Sequence, residues 1–161
     1  MIREMLPSDW DRVREIYLQG IETGKSTFTT ECPSYEEWDA AHLKDCRFVD
    51  VEDGVVAGWV VLSPTSTREM YKGVVELSLN MDSAYHGRGI GTALMNHISE
   101  ASEEVGYWTI YTCVLRDNTA SLAMNRKCGY REIGYREKIA KDKFGNWQDV
   151  IIFERRSKKV F

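Results

Sequence analysis

Apolar residues recur along the chain in two rhythms, one of about 3.6 residues and one of two, and the switches between them mark out the elements. Trp10, Val13, Ile16, Tyr17 and Ile21 fall on one face of a helix. Ser8 stands where an N-cap for that helix belongs, and residues 2–5 ahead of it can start a strand. Residues 23–33 are rich in turn formers, after which Ser34 opens a short helix carrying Trp38. The rhythm then becomes that of strands. Residues 47–63 read as a hairpin folded at Asp53-Gly54, and residues 73–81 alternate Val75, Leu77, Leu79 and Met81 with Glu76, Ser78 and Asn80. Leu94, Ile98, Ala101 and Val105 mark a helix ending near Gly106, and residues 107–115 a strand that includes Trp108. Asn118 opens a helix to about Lys127, stopped by Gly129, and two strands around Gly145-Asn146 finish the chain.

The hairpins exclude an all-parallel doubly wound sheet. The class is α+β: a mixed, mostly antiparallel central sheet flanked by helices. A length of 161 residues suits one domain, 1–161, with a core that needs no staples. A net charge of −4 argues against a nucleic-acid partner, which calls for a basic footprint. The short basic run at 155–159 reads as a solvated tail. No apolar run is long enough to span a bilayer and the first residues form no signal peptide, so no membrane partner is expected. Cys32, Cys46, Cys113 and Cys128 show neither CxxC spacing nor a histidine at metal-ligand spacing. They read as free thiols in a reducing cytoplasm, with no metal.

Candidate chemistry gathers where Gly87, Gly89 and Gly91 alternate ahead of a helix. A dinucleotide fingerprint would need glycine at the sixth position from Gly87, where Thr92 stands, and no Gly-Lys-Ser/Thr follows to make a Walker loop. Two readings remain. Successive amides of the loop and helix start can hold a pyrophosphate, helped by the helix dipole, or the loop is a glycine-rich turn without a ligand.

The segment from Tyr85 to Met95 resembles the acetyl-CoA loop of the GNAT superfamily of N-acetyltransferases, whose pattern is Gln/Arg-x-x-Gly-x-Gly/Ala. Gly89 and Gly91 match, while His86 stands where Gln or Arg is usual, and the element order also resembles the GNAT order from end to end. The resemblance implies that Gly87, Arg88, Gly89, Ile90, Gly91 and Thr92 hold the pyrophosphate of acetyl-CoA. It implies too that the backbone at Leu79, Asn80 and Met81 pairs with the pantetheine amides as an added strand. Residues 116–130 resemble the family's Asn-x-x-Ser, helix, Gly-Phe/Tyr element, which sets Asn118 and Ser121 beside the pantetheine arm and the 3′-phosphoadenosine. Taken alone, those two are an N-cap and a small packing residue. The family's general-acid tyrosine is replaced by Asn125, which leaves the protonation of the leaving thiolate unassigned.

Several stretches resemble a narrower group, the phosphinothricin and methionine sulfone/sulfoximine N-acetyltransferases. Residues 26–38 are similar to its Thr-Phe-x-Thr-x-x-Pro-Ser-x-x-x-Trp, and Ser63-Pro64 with Arg68 and Tyr71 to its Ser-Pro-…-Arg-x-x-Tyr. Glu76 stands thirteen residues before Gly89, the group's spacing, and residues 143–155 match its Lys-x-Gly-Arg-Trp-x-Asp ending with Asn146 in place of arginine. The resemblance implies direct acetyl transfer to the amine of a small amino-acid-like substrate, with a homodimer as the assembly.

An amine must lose a proton before it attacks a thioester, and Glu76 is the candidate base, its bland alternative being an exposed strand carboxylate. No cysteine has a visible base partner, which speaks against an acyl-enzyme. Arg68 is the candidate clamp for an amino acid's carboxylate, against a solvated loop arginine. Phe28 and Tyr71 would wall the pocket or pack under the loop. Trp147 reads as core or as lining a site between subunits, and His42 and His97 as helix-surface residues. Rival functions are acetylation of a polyamine or a protein N-terminus, and a non-catalytic acyl-CoA-binding sensor.

Overall fold

The computed structural model describes all residues 1–161. Strand β1 (Ile2–Glu4) leads through a 3-10 turn (Pro7–Asp9) into helix α1 (Trp10–Thr23). Asp9, not Ser8, occupies the N-cap position of α1. Its buried carboxylate accepts the Leu6 N–H at 2.8 Å and both terminal nitrogens of Arg3, at 2.8 and 2.9 Å. A carboxylate tied to an arginine outcompetes an exposed hydroxyl for this corner. Helix α2 (Tyr35–Ala41) starts on the expected capping box: Ser34 Oγ accepts the Glu37 N–H at 3.2 Å and Glu37 Oε2 accepts the Ser34 N–H at 3.0 Å.

Strands β2 (Phe48–Glu52) and β3 (Val55–Pro64) meet at Asp53 (φ 51°) and Gly54 (φ 78°), the paired left-handed residues of a tight hairpin. Strand β4 (Val74–Met81) leads through a 3-10 turn (Ser83–Tyr85) to α3 (Ile90–Val105), then come β5 (Thr109–Leu115), α4 (Thr119–Lys127), β6 (Arg131–Lys141) and β7 (Trp147–Arg156). Trp108 lies just ahead of β5 rather than in it. Its ring covers Gly73 so closely that a Cβ there would come within 2.0 Å of it, so only glycine fits beneath.

The seven strands run in the order β1-β2-β3-β4-β5-β7-β6, and every neighbouring pair is antiparallel except β4 with β5. This is the mixed, mostly antiparallel sheet expected, with one addition: the last strand inserts between β5 and β6. Helices cover both faces. On one, Ile90, Leu94, Met95 and Ile98 of α3 pack on Val60, Leu62, Val75 and Leu77. On the other, Val13 and Ile16 of α1 and Trp38 of α2 pack on Trp59 and Val61. Each such buried aliphatic side chain contributes about 1.5–3 kcal/mol. Gly58 lets α3 settle onto β3, since a Cβ would be 3.1 Å from Leu94 Cδ1 and 3.2 Å from the Asn80 carbonyl oxygen. The alternation of β4 sends Leu77 toward α3, while Glu76, Ser78 and Asn80, opposite Ser63, Val61 and Trp59, face the α1 side.

Candidate active site

Parallel pairing between β4 and β5 lasts for three residues, Val74–Thr109, Val75–Ile110 and Glu76–Tyr111, and then stops. Beyond it β4 continues to Met81 bonded only to β3, and β5 to Leu115 bonded only to β7. The sheet therefore opens into a gap at its centre, with Glu76 at the narrow end. A cleft of about 320 Å³ occupies it, lined by Phe28 and His42 from the α1/α2 face and by Met95, Ser121 and Met124 from the α3/α4 face. Two molecules entering from opposite faces of the sheet would meet beside β4.

Tyr111 donates its hydroxyl hydrogen to Glu76 Oε2 at 3.1 Å. Burial first, and the Glu76 charge second, push the Tyr111 phenol up to about 12 and the Cys113 thiol up to about 11. Both neighbours stay protonated near neutral pH, which leaves the carboxylate as the proton acceptor at the narrow end. Cys113, accessible from the cleft, is a poor nucleophile for the same reason. Asn125 is 2 % exposed and bonded through both its amide oxygen and its amide nitrogen. Its Oδ1 accepts the Thr112 hydroxyl at 2.6 Å and its Nδ2 donates to the Ser121 carbonyl at 2.8 Å, tying α4 to β5 along the gap. Asn118 caps α4, accepting the Ser121 N–H at 3.2 Å.

The glycine loop forms the other half. Gly87 (φ 79°) and Gly89 (φ 78°) are left-handed, and a Cβ on either would meet nothing within 4 Å, so glycine is there for conformation. None of the six backbone N–H groups from Gly87 to Thr92 bonds within the chain; Ala93, which reaches the Gly89 carbonyl at 3.0 Å, is the first that does. A run of free amides at the start of a 16-residue helix is an anion cradle. Arg88 lies over the Tyr85 ring at 5.0 Å, exposed beside it. Ile90 contributes only its amide, because its side chain is in the core. Gly91 has a packing duty that the pattern did not show: a Cβ would stand 2.8 Å from Met124 Sδ and 2.9 Å from Met81 Sδ. The loop is tied down by Asp82, which pairs with Arg12 of α1 and accepts the Ala84 N–H at 2.8 Å, and by Gln19, which accepts the Ser83 N–H at 3.0 Å.

Of the expected residues, the cleft brings together Phe28, Glu76, Leu79, Asn80, Asn118 and Ser121. Met81 closes over Gly91. Arg68 and Tyr71 stand apart, exposed on the turn before β4 with the guanidinium 5.6 Å above the phenol ring, and neither lines the cleft. No lysine or arginine does. Trp147 is 57 % exposed beneath Lys141, which corrects the core reading, whereas His97 is on the surface as expected. Most of the other lining residues were not expected, Tyr17 and His42 among them, and His42 is half-buried in the cleft wall rather than on a helix surface. Tyr17, on the apolar face of α1, stacks on Trp59 at 5.9 Å between centroids. His42 has a signal in hindsight, its i, i+4 spacing from Trp38. No group of three or more histidine, cysteine, aspartate or glutamate side chains is placed to hold a metal. A roomier groove, about 410 Å³, lies between Trp10, Tyr35 and the end of α3. It shares no lining residue with the gap, so size alone does not pick out the site.

Residues 10–130 match the model of the acetyltransferase (GNAT) family. The chain is 25% identical to the phosphinothricin N-acetyltransferase of Streptomyces coelicolor over 162 aligned positions, covering 96% of this chain and 94% of that one. It is 25% identical over 101 positions, 63% of this chain and 58% of that one, to the L-methionine sulfoximine/L-methionine sulfone acetyltransferase of Pseudomonas aeruginosa. In fold it resembles the phosphinothricin acetyltransferase of Sinorhizobium meliloti solved with acetyl-CoA, with a TM-score of 0.88 at 22% identity over 100% of this chain and 95% of that one.

Proposed function

The chain belongs to the GNAT acetyltransferase family, and on that premise we propose that it acetylates the amine of a small amino-acid-like acceptor, of the kind represented by methionine sulfoximine, methionine sulfone and phosphinothricin. GNAT enzymes draw the acetyl group from acetyl-CoA, whose thioester supplies an activated carbonyl. The single observation that carries the reading is the gap between β4 and β5 with Glu76 at its apex, reached by the glycine loop's face on one side and by Phe28 on the other.

In this reading the free amides of Gly87–Thr92 hold the pyrophosphate, and Asn118 and Ser121 flank the pantetheine arm. The unpaired edge of Leu79–Met81 bonds that arm as an added strand and polarises the thioester carbonyl. Glu76 takes a proton from the acceptor's ammonium, directly or through water, and Tyr111 orients the carboxylate. Asn125 holds the wall of the gap and is no acid, so the departing thiolate takes its proton from water or from the acceptor. The reaction is direct transfer in a cytosolic enzyme with four free thiols. Two copies pair through the apolar outer surface of β6 and the start of β7, where Ile133, Tyr135, Ile139 and Trp147 are exposed, and sedimentation velocity tests that assembly.

Thiol release from acetyl-CoA, measured with a panel of amines, tests the function. Turnover on the three amino-acid acceptors above, and little on spermidine or an N-terminal peptide, is the expected result. Turnover confined to a polyamine or a peptide would overturn the acceptor class. CoA binding without thiol release on any amine would leave a sensor.

A further inference from the structure

His42 ends α2, and nothing in the proposed chemistry uses it. Its ring packs on Trp38 at 4.7 Å between centroids, and its Nδ1 lies 2.6 Å from the Trp38 carbonyl oxygen. A carbonyl only accepts, so Nδ1 carries the hydrogen and the Nε2 of the neutral ring keeps its lone pair. Nε2 has no partner within the chain, and the residue lines the cleft. The next residue, Leu43, donates its N–H to the Leu62 carbonyl at 2.8 Å, which anchors His42 at β3, the strand beside β4. It therefore belongs to the acceptor's face of the sheet, one strand removed from Glu76.

The charge state of the ring follows from its neighbours. Burial lowers the His42 pKa; the Trp38 carbonyl raises it less, Arg47 from the following loop lowers it and Asp39 of α2 raises it. The net is below the usual histidine value, so the ring is neutral at pH 7. Tyr17 of α1 and Glu76 of β4 line the same cleft, and no cation does. Across β3 from Glu76, the cleft therefore offers the acceptor a lone pair and no cation.

We propose that His42 sets the choice among acceptors, its Nε2 accepting a hydrogen bond from an N–H at the substrate's far end. The proposal rests on the acceptor class given above. Methionine sulfoximine carries such a hydrogen on its S=N–H group. Methionine sulfone presents two oxygens there, which only accept, and phosphinothricin presents an anionic phosphinate. All three share the same α-amine and α-carboxylate, so the difference falls on the far end alone. A site built to bond a substrate hydrogen discriminates strongly against the analogue that lacks it. Sulfoximine is preferred at neutral pH, sulfone follows and phosphinothricin is last. As the pH falls through the imidazole's lowered pKa, Nε2 gains a hydrogen and becomes a donor, and the order shifts toward sulfone and phosphinothricin.

The test is the ratio of kcat/KM for sulfoximine to that for sulfone, measured from pH 5 to 8 in the parent, in His42→Asn and in His42→Phe. Asparagine keeps a donor for the Trp38 carbonyl without Nε2, and phenylalanine keeps the stacking without either nitrogen. The parent is expected to favour sulfoximine by about tenfold or more at pH 7.5, with the ratio falling in acid. In both variants the ratio drops to near one and loses its pH dependence, while the KM for acetyl-CoA stays within about twofold. Because the ratio compares acceptors with the same reacting amine, a general loosening of the cleft cancels. A parent that favours sulfone or phosphinothricin at pH 7.5, or variants that keep the parent's ratio, overturns the proposal. Nitrogen-15 spectra of the imidazole check it without turnover, since a ring bearing its hydrogen on Nε2 at pH 7.5 also overturns it. A parent that acetylates none of the three while acetylating other amines brings down the acceptor class, a failure distinct from an unchanged ratio.

Discussion

At the scale of single residues, the proposed chemistry divides between one side chain that reacts and backbone that binds. Glu76 is the one carboxylate lining the gap, held by Tyr111. Glu76→Gln is expected to lower kcat at pH 7 by roughly 10²–10⁴-fold and to recover partly at high pH, where the free amine is abundant. Calorimetric titration should find the acetyl-CoA affinity of this variant unchanged, and normal turnover would assign the base elsewhere. Gly89 works differently. At a φ of 78° a branched side chain is strained whatever the space, so Gly89→Val must distort the run of free amides. The expected outcome is a folded protein whose CoA affinity falls at least tenfold, more than its affinity for any amine.

Elements show what could be read from the sequence and what could not. The hairpin at Asp53-Gly54, the capping box of Ser34 and Glu37, and the alternation of β4 were legible because each is decided by residues a few positions apart. Ser8 was misplaced because an ion pair, not a propensity, decides that corner, where Arg3 of β1 holds Asp9, and Trp108 because a distant partner, Gly73, receives its ring. The order β5-β7-β6 depends on which strand edge is free once the chain has nearly ended, so no local pattern encodes it. In the site, the glycine loop and Glu76 were legible through motif and spacing. His42 was not, because its meaning lies in a bond to Trp38 and in a cleft formed by other elements. Asn125 shows how an element is held to the gap. Asn125→Ala leaves the Thr112 hydroxyl without its buried acceptor and should cost about 1–3 kcal/mol of stability, read as a lowered urea midpoint.

Across the whole molecule, three buried carboxylates hold the chain to itself, Asp9 within the N-terminal corner and Asp82 and Glu103 between distant segments. Asp9 is lowered chiefly by its bonds to Arg3. At Asp82 burial works upward, but the Ala84 N–H and Arg12 outweigh it. At Glu103 burial is again outweighed, here by Ser157, Lys159 and Arg155, which join α3 to the C-terminal residues. Each folded pKa lies below its unfolded value, so the stabilisation is complete above the unfolded value and is lost as pH falls through the folded one. Calorimetry should find the melting temperature steady from about pH 5 to 7 and falling below about pH 4, less steeply in Asp82→Asn. The same molecule-wide view bears on the gap in the sheet. A strand bonded on one side only has two kinds of amide: those of β4 directed at β3 are locked, and those directed at the gap are open to water. Along Leu77–Met81, amide hydrogen exchange in the free protein should therefore be fast and slow at alternate residues. Acetyl-CoA added as the missing strand should slow the fast set alone and erase the alternation, giving a residue-by-residue record of where the donor lies.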